Sequence, residues 1–341
     1  MEFNSEGAGV FNGQYFGLES SIDEATLVLQ SVPWDATVSY RQGTSGAPEA
    51  IMEASVQVEL FDVQYGEQWQ RGIFTLDIDP EIAQRNRVAR ECALTVIEHL
   101  ESGGSECDEA IKLQIERVNE ASEWMNKRVF ESAVKQIEAG HYIGLVGGDH
   151  STPLGLIRAL GTKRSSFGIL HIDAHMDLRD GYEGFKYSHA SIMRRALECT
   201  AVEKLVQVGV RDFCGSEREF GLQDSRVAQF LDVELMENRA DGVTWKEQCQ
   251  RIVESLPERV YISFDIDGLQ REFCPSTGTP VPGGLSYNEA VYLLNTVASS
   301  GRKVIGFDLN EVAPSEHDEW DAIVGARLLY KLSNILLYTN P

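Results

Sequence analysis

From residue 141 onward a rhythm without internal repeat runs through the chain: short apolar runs without polar alternation are interleaved with segments of helical spacing. The runs are HYIGLV (141–146), SFGILHI (166–172), KLVQVGV (204–210), RVYISFDI (259–266) and KVIGFDL (303–309). Strands that are apolar on both faces need cover on both faces, and strands separated by helices are joined by crossovers. The pattern therefore predicts an α/β fold with a parallel sheet buried between helices. An earlier run, ATLVLQ (25–30), adds a strand, and SVPWDATVSYRQGTSGAP (31–48) after it reads as a long loop. Helices are predicted from Pro48 to Leu60, over 81–102 and over 108–138, with the breaker SGGS between the last two and Gly140 as a stop. Others are predicted from Leu154, from His189 to Glu198, from a Ser286 cap to Gly301, and near 320–338.

No Pro/Ser/Gly-rich linker divides the 341 residues, so a single domain over 1–341 is expected, with residues 1–24 as an N-terminal extension. The formal charge of −23 disfavours nucleic acid and anionic membrane as partners and favours small cations. No run of 18 apolar residues exists, and MEFNSEGAGVFNGQYFG lacks both parts of a signal peptide. The six cysteines are scattered without CxxC spacing and read as reduced thiols of a cytoplasmic protein.

The runs end in chemistry. One is followed by Gly147-Gly148-Asp149-His150, the next by Asp173-x-His175-x-Asp177, another by Asp265-x-Asp267, and the last carries Asp308 and leads to Glu311. Ligands of open parallel sheets bind beyond the carboxyl ends of the strands, so these ends face one crevice. Residues i and i+2 of a strand share a face, which pairs Asp173 with His175 and Asp265 with Asp267. Buried carboxylates repel unless a cation compensates them. Imidazole and carboxylate without thiolate suit Mn²⁺ and related ions, and four carboxylates balance two dications.

GGDHS (147–151), DAHMDLR (173–179), SFDID (263–267) and GFDLNEVAP (306–314), with VPWDATVSYRQGT (32–44) and TGTPVPGGLS (277–286), resemble the ureohydrolases: arginases, agmatinases and formimidoylglutamases. The resemblance covers most of the chain. It implies a three-layer α/β/α sandwich around a mainly parallel sheet, assembly as homotrimers or homohexamers, and two Mn²⁺ per subunit. His150, Asp173, Asp177 and Asp265 would hold one ion; Asp173, His175, Asp265 and Asp267 the other. Glu311 matches the carboxylate that binds the guanidinium, and His189, in YSHAS, the histidine that shuttles protons. A hydroxide shared by the ions and oriented by Asp177 would attack the guanidinium carbon.

Within the family, Arg179 stands where arginases carry an Asn for the substrate carboxylate, and Cys214 where they carry an Asp for the α-amino group. DLRDGYEG…YSHASIMRRALE (177–198) is instead similar to agmatinases, so agmatine, cleaved to urea and putrescine, is the expected substrate. Guanidinobutyrate, guanidine, formimidoylglutamate and arginine stand as alternatives, as does a metal-binding relative without turnover. Arg179 is expected to pair with a neighbouring acid such as Asp180 or Asp212 and shape the loop, its other reading being a substrate carboxylate. Gln270-Arg271 replaces the family's Asp-Pro and reads as loop drift. His171 is expected in the core or behind the metal ligands, and Asp149 and Asp308 either orient ligands or end strands.

Overall fold

Eight strands form one sheet in the computed structural model, which describes residues 4–163, 166–315 and 317–341. They are β1 (Leu27–Val32), β2 (Ile73–Thr75), β3 (Tyr142–Gly147), β4 (Phe167–Ile172), β5 (Val202–Val208), β6 (Val227–Phe230), β7 (Arg259–Asp265) and β8 (Lys303–Asn310). Every neighbouring pair is parallel, in the order β2-β1-β3-β8-β7-β4-β5-β6. The helices are α1 (Ala47–Ser55), α2 (Pro80–Glu101), α3 (Glu109–Glu138), α4 (Leu154–Lys163), α5 (Ile192–Ala196), α6 (Gly215–Gln223), α7 (Asp232–Ala240), α8 (Trp245–Glu254), α9 (Tyr287–Ser299) and α10 (Trp320–Thr339).

The strands' unbroken apolarity becomes two cores, one on each face. Leu170, Ile172, Val208, Phe264 and Leu309 pack with α1, α8, α9 and α10. Ile143, Leu145, Ile169, Leu205 and Tyr261 pack with α3, α4 and α5 on the other face. Each such side chain, fully buried, contributes about 1.5–3 kcal/mol. The three-layer α/β/α expectation holds, and the sheet is parallel throughout. Tyr15, Phe16 and Leu18, from the segment ahead of β1, are buried in the first of these cores; residues 1–3 of that segment lie outside the described residues.

Several boundaries differ from expectation, β1 among them, which runs over Leu27–Val32 rather than 25–30. Helix α1 stops at Ser55 rather than Leu60. The Ser55 hydroxyl donates back to the Met52 carbonyl and accepts from the Phe16 N–H, both at 2.7 Å, which competes with continued helix. Strand β5 stops at Val208 because Gly209 turns left-handed, at φ 90°. The segment 189–198 divides into a 3₁₀ turn, His189–Ser191, and the short α5. The short outer strands β2 and β6, and α6 to α8, lie where the sequence pattern gave no expectation.

Sheet order places the site. Strands β3 and β4 are consecutive in the chain, yet β8 and β7 lie between them. This reversal of winding opens a crevice above the carboxyl ends of β3, β8, β7 and β4. His150 follows β3, Glu311 follows β8, Asp265 and Asp267 stand at the end of β7, and Asp173 to Asp177 follow β4.

Candidate metal centre

The turn after β3 is closely packed. A methyl group on Gly147 would meet Asn310 Oδ1 at 1.8 Å, and one on Gly148 would meet the Trp34 carbonyl oxygen at 2.1 Å. Asp149 pins this turn by accepting from the Ser151 N–H (2.9 Å) and hydroxyl (2.5 Å), and burial pushes its carboxyl up to about 6. His150 is thereby aimed into the crevice. Its Nδ1 lies 3.0 Å from Asp173 Oδ2, 3.2 Å from Asp177 Oδ2 and 3.2 Å from Asp265 Oδ2. Its Nε2 lies 2.9 Å from Ser263 Oγ, whose hydroxyl donates to Asp308 Oδ1 at 3.0 Å. Because the Asp308 carboxylate accepts that proton, Ser263 accepts from His150 Nε2–H, which leaves the Nδ1 lone pair for a metal.

Asp173 and His175 do converge, as do Asp265 and Asp267, but not through strand pleating. Strands β4 and β7 end at Ile172 and Asp265, and each aspartate caps the turn that follows. Asp173 Oδ1 accepts from the His175 N–H (2.5 Å), and Asp265 Oδ1 from the Asp267 N–H (2.8 Å). In both residues Oδ2 is left facing His150. His175 Nδ1 completes the cluster, 3.4 Å from Asp173 Oδ1 and 3.2 Å from Asp267 Oδ2. Two sets of candidate metal-binding atoms share Asp173: His150, His171, Asp173 and Asp177, and Asp173, His175 and Asp267. Within each set the atoms lie within 4.8 Å of one another.

The electrostatics call for a cation. Burial, then the charges of Asp267 and Asp173, lifts the Asp265 carboxyl well above its ordinary range. Burial and Asp173 push Asp177 up to about 6. Burial works against ionised Asp173 too, but the imidazoles of His171, His150 and His175 outweigh it and hold it well below. Burial alone would strip the His150 proton; its carboxylate neighbours overcome that and raise the imidazole well above its usual value. Carboxyls raised by burial and by one another are relieved by a cation, and imidazole nitrogen with carboxylate oxygen is a donor set for Mn²⁺ and its neighbours.

Glu311 has left-handed backbone, φ 62°, as does Asp177 at φ 55°. Such conformations cost about 1–3 kcal/mol each and persist where the surroundings impose them. Here Glu311 N–H donates to the Gly148 carbonyl, the Thr277 hydroxyl to the Glu311 carbonyl, and the His150 N–H to Glu311 Oε1, each at 2.8 Å. Burial, then Asp149, drives the Glu311 carboxyl well above its usual range. Gly278 closes on Oε2: a methyl group there would sit only 3.3 Å from it, so the absent side chain keeps that oxygen uncrowded. His189 lies across a cleft of about 250 Å³ that His175, Asp177, Arg179, Tyr182 and Asp212 also line. Desolvation, then the charge of His175, pushes His189 down to about 3, so its imidazole rests neutral.

The partner expected for Arg179 is corrected. Asp180 is bound by Arg195, and the exposed Asp212 carboxylate makes no hydrogen bond or ion pair among the described residues. Arg179 Nε instead lies 3.6 Å from Glu217 Oε2, with the guanidinium 4.8 Å above the Tyr182 ring. Glu217 is available because α6 turns its first turn toward the site, where it also accepts from the Leu178 N–H (3.1 Å). Gln270 and Arg271 sit in a turn outside the cluster, the Gln270 N–H donating to the Leu285 carbonyl at 2.8 Å. Cys214 lines the cleft, whereas the buried Cys274 thiol donates to Asp321 Oδ1 (3.0 Å).

Sequence reasoning passed over Thr37, Ser263, Gln207 and Arg211. The Thr37 hydroxyl lies 3.4 Å from both His189 Nδ1 and Asp149 Oδ2. Arg211 holds the Asp267 turn through the Asp267 carbonyl at 2.7 Å. For Ser263 and Gln207 the sequence carries a signal: each is a polar residue set between apolar neighbours in the buried part of its strand.

Residues 25–333 match the profile of the arginase family. The N(1)-aminopropylagmatine ureohydrolase of Thermus thermophilus is 32% identical over 318 residues, 92% of this chain and 90% of that protein. The agmatinase of Pyrococcus horikoshii is 29% identical over 310 residues, 91% of each chain. The crystal structure of the agmatine ureohydrolase of Thermoplasma volcanium matches with a TM-score of 0.71 at 25% identity, covering 94% of this chain and 92% of that one. No helix among the described residues is long and apolar enough to cross a membrane. The strand-end motifs, the winding of the sheet and a profile match along nearly the whole length agree: this chain belongs to the arginase family.

Proposed function

We propose that this protein is a hydrolase that uses two divalent ions, Mn²⁺ foremost, to cleave agmatine into urea and putrescine. The observation that carries the reading is the meeting, above four neighbouring strands, of His150, Asp173, His175, Asp177, Asp265 and Asp267 with the buried carboxyl of Glu311. His150, Asp173, Asp177 and Asp265 would hold one ion; Asp173, His175, Asp265 and Asp267 would hold the other. When bound, such a pair supplies a water acidified toward neutral pH as the nucleophile.

The remaining work falls to side chains. Glu311 takes the planar guanidinium by paired, charge-assisted hydrogen bonds, and the arriving cation stabilises its ionised form. Asp177 orients the nucleophile by accepting its hydrogen bond. The neutral His189 takes up a proton from solvent and delivers it to the alkyl-bearing nitrogen as the bond between that nitrogen and the guanidinium carbon breaks. Urea and the amine leave. Asp212, a carboxylate on the cleft wall without a partner among the described residues, suits the distal ammonium. The Arg179 and Cys214 departures speak against an amino-acid head group.

A second reading, N(1)-aminopropylagmatine, is favoured by the likeness to the N(1)-aminopropylagmatine ureohydrolase of Thermus thermophilus and by the exposed Phe213 in the cleft wall, an apolar surface for a longer alkyl chain. The reading includes a cytoplasmic homotrimer or homohexamer built from a single domain. The test is product release from agmatine, N(1)-aminopropylagmatine, arginine, guanidinobutyrate, guanidine and formimidoylglutamate, with Mn²⁺ and with chelator. Agmatine or its aminopropyl derivative should lead. Arginine turnover above both overturns the substrate, and metal-loaded protein inert to all six overturns catalysis.

A further inference from the structure

A row of polar side chains crosses the sheet beneath the metal cluster. In register across five adjacent strands stand Asp308 (β8), Ser263 (β7), His171 (β4), Gln207 (β5) and Gln229 (β6). Paired residues of parallel strands share a face; Asp265, two residues beyond Ser263 at the end of β7, stays on it, and Asp173 follows β4 directly with its Oδ2 2.7 Å from His171. His171, Gln207, Ser263 and Asp308 are fully buried. Four buried polar side chains in strands built for apolar contact are costly unless each hydrogen bond is satisfied.

The bonds on the β4 side have one direction only. Gln207 offers one amide atom to the Met176 carbonyl oxygen at 2.7 Å. A carbonyl oxygen only accepts, so that atom is the nitrogen Nε2, and the amide orientation is fixed. The same Nε2 lies 3.0 Å from His171 Nδ1, which must therefore accept. Gln207 Oε1 accepts from Gln229 Nε2 at 3.1 Å, and Gln229 Oε1 accepts from the Arg218 guanidinium, a group with donors alone. With Nδ1 accepting, the His171 proton resides on Nε2, 2.7 Å from Asp173 Oδ2.

We propose that His171 is a positioning residue: Gln207 locks it in the Nε2–H tautomer, and its hydrogen bond holds the Asp173 carboxylate in place for the metal pair. His171 lies close enough to the cluster to count as a ligand by distance. Its Nδ1 lone pair is consumed by Gln207 and its Nε2 carries a proton, so neither nitrogen is free to bind an ion. It serves Asp173 as the Ser263–Asp308 pair serves His150 from the other end of the row.

The inference rests on the metal reading above, and its test separates the two. Mn²⁺ affinity is measured by chelator competition on wild type, His171→Leu, His171→Gln and Gln207→Leu, with folding checked by circular dichroism. Loss of partners behind metal ligands typically weakens binding about 10–100-fold, the effect expected for His171→Leu. His171→Gln keeps an N–H donor where Nε2 stands and should bind close to wild type, a rescue that an imidazole ligand would not allow. Gln207→Leu should lie between. Independently of any metal, ¹⁵N spectra of histidine-labelled, metal-free protein should give wild-type His171 as one tautomer with Nε2 protonated, and a mixture in Gln207→Leu. A His171→Gln affinity as poor as that of His171→Leu, or a protonated Nδ1 in wild type, overturns the assignment. If wild type binds no metal while the tautomer is as stated, the metal reading fails and the locked histidine stands.

Discussion

Replacing Glu311 by Gln separates binding of the substrate from stability of the fold. The Glu311 carboxyl is buried, and its burial, with Asp149 nearby, raises its pKa well above the ordinary 4.5. An acid whose folded pKa exceeds its unfolded one stabilises the fold only while protonated. As pH rises above about 4.5, the metal-free wild type loses up to about 1.4 kcal/mol per pH unit from this group, until the folded pKa is passed. The amide introduced by Glu311→Gln is nearly isosteric with the protonated acid and has no such loss. The substituted protein should therefore be at least as stable as wild type at neutral pH, with a thermal-midpoint difference that vanishes near pH 4. Catalysis should move the opposite way. Removing one partner of a buried charge pair costs about 3–5 kcal/mol, which is about 10²- to 10⁴-fold in kcat/KM for agmatine. Thermal melts of the metal-free proteins from pH 4 to 8, and urea-release kinetics on the same preparations after Mn²⁺ loading, check both halves. Full activity in Glu311→Gln, or a large loss of stability at neutral pH, would refute the reasoning.

His189→Ala should retain its metal by elemental analysis and lose about 10²- to 10⁴-fold in kcat, the usual share of general acid–base catalysis. Ser263→Ala leaves His150 Nε2–H without its acceptor at 2.9 Å and should weaken Mn²⁺ binding at least about tenfold, read by chelator competition. Metal affinity should fall as pH drops below about 6, because Asp177, raised to about 6 by burial and Asp173, must give up its proton to bind an ion. Calorimetric titrations at pH 5 and 7.5 measure this, and equal affinities at both would contradict it.

The sheet and the strand-end chemistry were legible because each rests on a strong local signal. Unbroken apolar runs admit few arrangements, and a buried-strand pattern that ends in Asp173, His175 and Asp177 has little use except as a polar site. The mechanism of convergence was not legible. The i, i+2 rule brings the correct residues together for the wrong reason, since Asp173 and Asp265 act by capping turns beyond the strands. The outer strands β2 and β6 span three and four residues, too few for a period to register. The partner of Arg179 depended on how α6 docks, which no spacing within DLRD encodes. Thr37 comes from a loop 152 residues before His189 in the chain, so its place beside that histidine is a property of the tertiary fold alone.

The central proposal is that two divalent ions would bind between His150 and His175, with Asp173 and Asp265 serving both. Crystals of the Mn²⁺-loaded protein, measured at the manganese absorption edge and paired with elemental analysis of the same batch, test it directly. The account predicts two anomalous peaks per subunit flanking these two carboxylates, with Asp265→Asn losing metal and activity together. A fully loaded wild type with no peak between His150 and His175, or Asp265→Asn with unchanged metal content, would contradict it.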